Sequence, residues 1–126
     1  MRELIFRPRR LRSTAALRDL VAEARLDARM LVQPHFVVPG TGIGEGISAM
    51  PGIEHQSVDR LLATVEADLE LGIRSVLLFG VPEGADKAPD GRSAYSDAAV
   101  VPTAVKALKE RFRDDLVVMT DVCLCA

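Results

Sequence analysis

The stretch "LGIRSVLLFGV" at residues 71–81 decides the fold class. It is almost continuously apolar after its glycine, which is typical of a strand in a parallel sheet that is covered on both faces. The segment before it predicts a helix, because Ser57 can cap its start and Gly72 stands where a left-handed residue can end it. The apolar spacing gives that helix a buried face formed by Leu61, Leu62, Val65 and Leu69.

The preceding segment shows the same pairing of a helix with a strand. Ser13 or Thr14 can cap a short helix, whose apolar face is formed by Leu17, Leu20, Val21 and Ala24. The strand-like stretch "ARMLVQPHFVVPG" follows at residues 28–40. Because Pro34 cannot donate a ladder hydrogen bond, we expect this strand to be at an edge or bulged at that point.

The downstream segment repeats the pairing once more. After a polar loop at residues 82–97, a helix begins near Pro102, and its core side is formed by Ala104, Val105, Leu108 and Phe112. A third buried strand, "LVVMTDV", follows at residues 116–122. Three alternations of helix and strand predict an α/β fold with parallel strands and right-handed crossovers. Three strands cannot close a sheet on itself, so the pattern is typical of the opening of a larger α/β fold.

The segment "PGTGIGEGISAMPG" at residues 39–52 holds alternating glycines between the first strand and the next helix. It does not match G-x-G-x-x-G, and it lacks the Gly-Lys-Ser/Thr of a phosphate-binding loop. The sequence therefore predicts a flexible surface loop.

Composition excludes several functional classes. The formal net charge is -2, from 16 Lys+Arg and 18 Asp+Glu, which argues against nucleic acid as a partner. No apolar run approaches the roughly 20 residues of a membrane span, and the start does not have the pattern of a secretory signal. Residues 1–12 are rich in arginine and form either a solvated basic arm or an arm that docks on a neighbouring subunit.

The third strand delivers three chemically active side chains. Asp121, Cys123 and Cys125 alternate by two, so an extended chain points all three to one side. Two thiolates and a carboxylate at a strand end could bind zinc, and two inert, semi-buried cysteines are the alternative. The cysteine spacing is a poor one for a structural disulfide, which favours a reducing, cytoplasmic setting. His35 and His55 are expected to be hydrogen-bonded structural residues, the second in a loop before a helix.

The segments together resemble the delta-aminolevulinic acid dehydratase (porphobilinogen synthase) family over essentially the whole chain. The stretch "DVCLC" at residues 121–125 is the most specific, because it is similar to the start of that family's zinc-binding segment. The other matching stretches, in chain order, are "RPRRLR", "LVQPHFV", "ISAMPGI", "LGIRSVLLFGVP" and "DKAPDGRSAYSD".

The resemblance implies a (β/α)8 TIM barrel. Residues 1–12 would be an N-terminal arm, and residues 13–126 would be the N-terminal part of the barrel domain, with its first three strands. It implies a homo-octamer held by the arm, and condensation of two 5-aminolevulinate molecules to porphobilinogen in tetrapyrrole biosynthesis. By its match to the zinc-dependent branch, Cys123 and Cys125 would be zinc ligands and Asp121 the acidic active-site residue. An additional allosteric Mg²⁺ is left open.

The same resemblance places a third cysteine and two Schiff-base lysines after Ala126, and it matches none of Lys87, Lys106 and Lys109 to them. Lys106 and Lys109 are expected on the exposed side of a helix. We therefore expect the 126-residue chain alone to be inactive, with an open sheet edge that promotes association. Two rival hypotheses are a non-catalytic zinc-binding or assembly module, and a thiol redox protein.

Overall fold

The computed structural model describes residues 8–82, 84 and 89–123. Its helices are α1 (Ala15–Leu20), α2 (Val58–Glu70), α3 (Arg92–Tyr95) and α4 (Val100–Phe112). Its strands are β1 (Gln33–Val37), β2 (Gly44–Gly46), β3 (Glu54–Gln56), β4 (Ser75–Gly80) and β5 (Val117–Thr120). The strands form one sheet in the order β2-β3-β1-β4-β5. The α/β class expected from the alternation is confirmed.

The three strands expected from the sequence lie side by side in chain order. β1 pairs with β4 in parallel, with Phe36 opposite Phe79, and β4 pairs in parallel with β5, with Leu78 opposite Thr120. α2 lies between β1 and β4 along the chain, and α4 lies between β4 and β5. Strands that are neighbours both in sequence and in space, each pair joined through a helix, are the repeating unit of a (β/α)8 barrel.

The glycine-rich segment is not the flexible loop that the sequence predicts. β2 and β3 pair antiparallel, with Glu45 opposite His55, and β3 pairs in parallel with the end of β1. A residue of α2 stabilises the start of the hairpin, because the Asp59 carboxylate accepts the backbone N–H of Gly42 at 3.0–3.1 Å. The loop position expected for His55 is therefore also wrong. Tertiary hydrogen bonds override the local preference of glycine for turns.

Pro34 lies in a strand that is central in the sheet, but its own position is locally open. It stands opposite Leu77 of β4, whereas β3 reaches β1 only at Phe36 and Val37. Only one neighbouring strand is therefore beside the proline. The expected edge position is therefore confirmed for the end of β1 that contains Pro34, but not for the strand as a whole.

The core lies between the sheet and the two long helices. The predicted faces of α2 and α4 are confirmed, since their fully buried residues come from those sets and the rest pack against them. The core comprises Val37, Leu61, Val65, Val76, Leu78, Ala104, Leu108 and Leu116. At about 25 cal/mol per Å² of buried apolar surface, this cluster is the main favourable contribution to the stability of the fold.

The expectation of strands buried on both faces is wrong in the described chain. In β4, Val76 and Leu78 point to the helices and are buried, whereas the alternate residues are half-buried. β5 is one of the two edge strands of the described sheet, and its Val117 and Met119 are 52% and 40% exposed. The side chains of a strand alternate between two faces, and only one face of this sheet is covered by α2 and α4.

The ends of the helices agree only in part with those predicted from the sequence. Gly72 has a φ of 88° just after α2, as expected for a left-handed glycine. Thr14 caps α1 by accepting the Leu17 N–H, but the predicted apolar face of α1 is largely exposed, with Leu17 half-buried and Leu20 76% accessible. The Ser57 hydroxyl accepts the N–H of Ile43 and not an N–H of α2. Within the described residues, no helix is long and apolar enough to cross a membrane.

Candidate functional site

A cavity of about 450 Å³ lies at the carboxyl ends of β4 and β5. Its walls come from both strand ends and from α4, with Ala94 of α3 at one side. The backbone N–H of Asp121 donates to the Leu78 carbonyl at 3.1 Å, so the chain continues alongside β4 after β5 has ended. The carboxyl ends of parallel strands are where α/β folds place their binding and catalytic groups.

Two of the three predicted site residues line this cavity. Asp121 is exposed and Cys123 is half-buried, and both contribute to the wall beside Thr120. Cys125, the second predicted metal ligand, lies outside the described residues. Cys123 is disulfide-bonded, contrary to the expectation of a reduced thiol.

The side chains at this strand end fit zinc when Cys123 is reduced. A thiolate is a soft ligand that zinc prefers, and Cys123 can supply one only when its disulfide is reduced. The part of the chain that the structure describes contains no group of three His, Cys, Asp or Glu side chains able to hold a metal ion. Any complete ligand set therefore needs donors in addition to the described ones.

Lys106 and Thr120 also line the cavity, and the sequence analysis assigned neither to a site. Lys106 is exposed on α4, as is Lys109, which confirms their expected position on the open side of the helix. Lys106 is four residues after Pro102, another lining residue, so helical spacing places both on one side. This spacing of four residues is the sequence feature from which a position of Lys106 at the cavity could have been predicted. Lys87 lies outside the described residues.

The apolar part of the wall depends on a close approach of α4 to β4. A Cβ atom placed on Gly80 would lie 2.6 Å from the Cγ2 atom of Val101. Only a residue without a side chain fits at that point of the strand. Glycine therefore sets how closely the start of α4 approaches the strand end, with Val101 and Val105 facing the cavity.

His35 is hydrogen-bonded in the structure, as the sequence predicts, whereas His55 has a ring contact. His35 Nε2 lies 3.0 Å from Asp68 Oδ2 of α2, and both side chains are largely buried. Burial lowers the pKa of His35, and the nearby Asp68 carboxylate offsets part of that effect. The His55 ring packs edge-on against Phe36, with ring centres 6.1 Å apart.

A sequence profile of the delta-aminolevulinic acid dehydratase family matches residues 5–126. The chain belongs to this family. The delta-aminolevulinic acid dehydratase of Synechocystis sp. is 42% identical over 119 residues, which are 94% of this chain and 36% of that protein. The enzyme of the same name from Ruminiclostridium josui is 39% identical over 122 residues, which are 97% of this chain and 58% of that sequence.

The fold agrees with this family membership. The crystal structure of delta-aminolevulinic acid dehydratase (porphobilinogen synthase) from Toxoplasma gondii, in complex with the reaction product porphobilinogen, superposes with a TM-score of 0.85. Sequence identity is 32%, and the match covers 96% of this chain and 34% of that one. The chain thus spans about a third of the length of most of these relatives, and it corresponds to part of a TIM barrel.

Proposed function

We propose that the protein containing this chain is a porphobilinogen synthase, a hydro-lyase that condenses two molecules of 5-aminolevulinate to porphobilinogen in tetrapyrrole biosynthesis. The observation that carries the proposal is the family match over residues 5–126, which includes the strand end with Asp121 and Cys123. The relative that was crystallised with porphobilinogen supports the same small-molecule chemistry. The cavity beside these residues offers about 450 Å³ for a substrate of that size.

Cys123 and Cys125 would hold a catalytic zinc, and Asp121 would be the acidic residue beside it. Zinc supplies a Lewis acid that polarises a carbonyl oxygen of a substrate. The Asp121 carboxylate, exposed at the cavity wall, can accept hydrogen bonds from a substrate amine and hold it in place. The apolar wall at Val101 and Val105 keeps water away from one side of the bound molecule.

Residues 1–12 are proposed as an arm that docks on a neighbouring subunit of an octamer, and residues 13–126 as the first part of the barrel domain. The described end of the arm supports a charged contact, since Arg9, Arg10 and Arg12 are all exposed. An acidic surface on the neighbour would complement them. We also propose a cytoplasmic location, where the thiols of the site stay reduced, and an additional Mg²⁺ at subunit contacts.

The test measures porphobilinogen formation from 5-aminolevulinate by the native protein under reducing conditions, together with its zinc content. Cys123→Ser is expected to lower both zinc content and turnover by at least about 100-fold, whereas Asp121→Asn lowers turnover and keeps the zinc. Val122→Ala is the matched control, because Val122 lies between the two site residues and is 94% exposed. Its activity should equal that of the unchanged protein.

The rival hypotheses give different results in the same experiment. Stoichiometric zinc without porphobilinogen formation would instead indicate a non-catalytic zinc-binding or assembly module. Full activity of Cys123→Ser would refute the zinc-dependent mechanism. The 126-residue chain by itself should form no porphobilinogen, because Lys106 and Lys109 are exposed and lack the burial that activates a Schiff-base lysine.

A further inference from the structure

A second, smaller cavity lies on the helix side of the sheet, away from the strand ends. It measures about 70 Å³ and is lined by β1, β3, the turn before β3 and α2. The polar residues that line it include His35, Glu54, Gln56, Thr64 and Asp68. None of them borders the cavity that holds Asp121 and Cys123.

The buried side-chain amide oxygen of Gln56 has no hydrogen-bond donor in the part of the chain that the structure describes. Gln56 is 9% exposed, and its Oε1 atom is fully buried without a hydrogen-bond partner among the described residues. Buried polar atoms in folded proteins nearly always have a partner, either in the protein or in an ordered water molecule. An orphaned acceptor at the wall of a cavity therefore indicates that the cavity contains the donor.

Three of the polar side chains around the cavity have already used their hydrogen atoms or have none. The Thr64 hydroxyl donates to the Arg60 carbonyl within α2, at 3.2 Å. Asp68 presents a carboxylate that is 3.0 Å from His35 Nε2, and Glu54 presents a second carboxylate near the opening. These three side chains, together with Gln56 Oε1, thus offer acceptors, and an occupant that donates hydrogen bonds complements them.

The size of the cavity limits the occupant. One water molecule takes about 30 Å³ in the liquid, so about 70 Å³ holds one or two molecules of that size. We propose that this cavity is a binding site for a small hydrogen-bond donor of the size of water, which donates to Gln56 Oε1 and links it to the Asp68 carboxylate. The bound donor then connects β3 to α2 through Asp68, the same residue through which His35 connects β1 to α2.

The test compares the melting temperature of the native protein with that of Gln56→Met, which keeps the length of the side chain and removes the acceptor. Loss of a satisfied buried hydrogen bond should lower the melting temperature by about 2–4 °C. Glu45→Met, on the exposed strand that pairs with β3, is the control and should cause no such loss. An equal or higher melting temperature for Gln56→Met would mean that the acceptor is not satisfied, and would overturn the proposal.

A crystal structure at high resolution gives a second, independent result. Density for an ordered atom at hydrogen-bond distance from Gln56 Oε1, absent in Gln56→Met, is expected. An empty cavity would overturn the proposal even if the variant were less stable.

Water and ammonium share the required chemistry and can be distinguished by melting in ammonium chloride or tetramethylammonium chloride at equal ionic strength. A saturable stabilisation by ammonium alone, lost in Gln56→Met, would assign the site to ammonium. Equal melting temperatures in both salts, with the stability loss of Gln56→Met retained, would assign it to water. The two results identify different occupants of the same site.

Discussion

Gly80 of β4 and Val101 of α4 leave no room for a methyl group between them. The Cβ of an alanine at position 80 would lie 2.6 Å from the Cγ2 of Val101. Valine is branched at Cβ and has few rotamers, so it cannot turn away at low cost. The contact therefore fixes the distance between the strand end and the start of the helix at the wall of the cavity with Asp121.

Gly80→Ala is predicted to destabilise the native protein by about 1–3 kcal/mol, because the added methyl group overpacks this contact. The measurement is urea unfolding of the variant and of Gly80→Ala/Val101→Ala, in which the valine methyl groups are removed. The double variant should recover part of the loss, so that the two substitutions couple favourably. Additive effects would show that the contact between Gly80 and Val101 is not the cause.

The helices and the main strands could be predicted from the sequence because their patterns are set by short-range geometry. The apolar spacing of α2 and α4 matches a period of 3.6 residues, and the positions that it selected are those that form the core. The continuous apolar run at residues 71–81 gave the location of β4 in the same way.

The hairpin of β2 and β3 could not be predicted, because its stabilising contacts come from residues distant in sequence. Asp59 reaches Gly42 across 17 positions, and no local pattern records that contact. The pair of His35 and Asp68, separated by 33 positions, is a further example. Of the candidate site, Asp121 and Cys123 were found through their position after a strand, whereas Lys106 depended on where α4 packs.

Arg113 is the one non-glycine residue with a positive φ in the described parts of the chain, at 48° with a ψ of -118°. Side chains rarely adopt this backbone conformation, and glycine adopts it without steric cost. Arg113→Gly should therefore be more stable than Arg113→Ala by about 1 kcal/mol. Thermal unfolding of both variants measures the difference. If alanine were equal to or better than glycine, the backbone at position 113 would carry no strain.

The pKa of Asp59 is lowered, mainly by a hydrogen bond with the Ser57 hydroxyl and further by the backbone N–H of Gly42. A carboxylate with a lowered pKa in the folded state adds stability above its unfolded pKa, and that stability is lost as pH falls through the folded pKa. Asp59→Asn should therefore destabilise the protein at pH 7, and its difference from the unchanged protein should shrink as pH falls below about 4 and vanish only below the lowered pKa of the folded state.

Urea unfolding between pH 2.5 and 7 would measure this change in stability, with Asp19→Asn on α1 as an exposed control. The effect concerns the hairpin, so amide exchange at Gly42 should quicken in Asp59→Asn. A destabilisation that stayed constant over the whole range would mean that the charge of Asp59 is not the stabilising feature.

His35 should make stability depend on pH in a second, higher range, with a loss again on acidification. Burial lowers its pKa from 6.5, and the attraction of Asp68 offsets only part of that change. The unfolded chain therefore binds a proton at His35 more readily than the folded one, and folding stability should decline as pH falls below about 6.5. The slope at this single site cannot exceed about 1.4 kcal/mol per pH unit.

The decisive measurement is the free energy of unfolding between pH 5.5 and 7.5 for the unchanged protein and for His35→Met/Asp68→Asn, which removes both members of the pair. The double variant should lose less stability on acidification than the unchanged protein does. His55→Met is the control for replacing an imidazole outside the pair, since its half-buried ring packs against Phe36. A steeper acid loss in the double variant would mean that protonated His35 is favoured by its pairing with Asp68, and that the ion pair outweighs the cost of burying the charge.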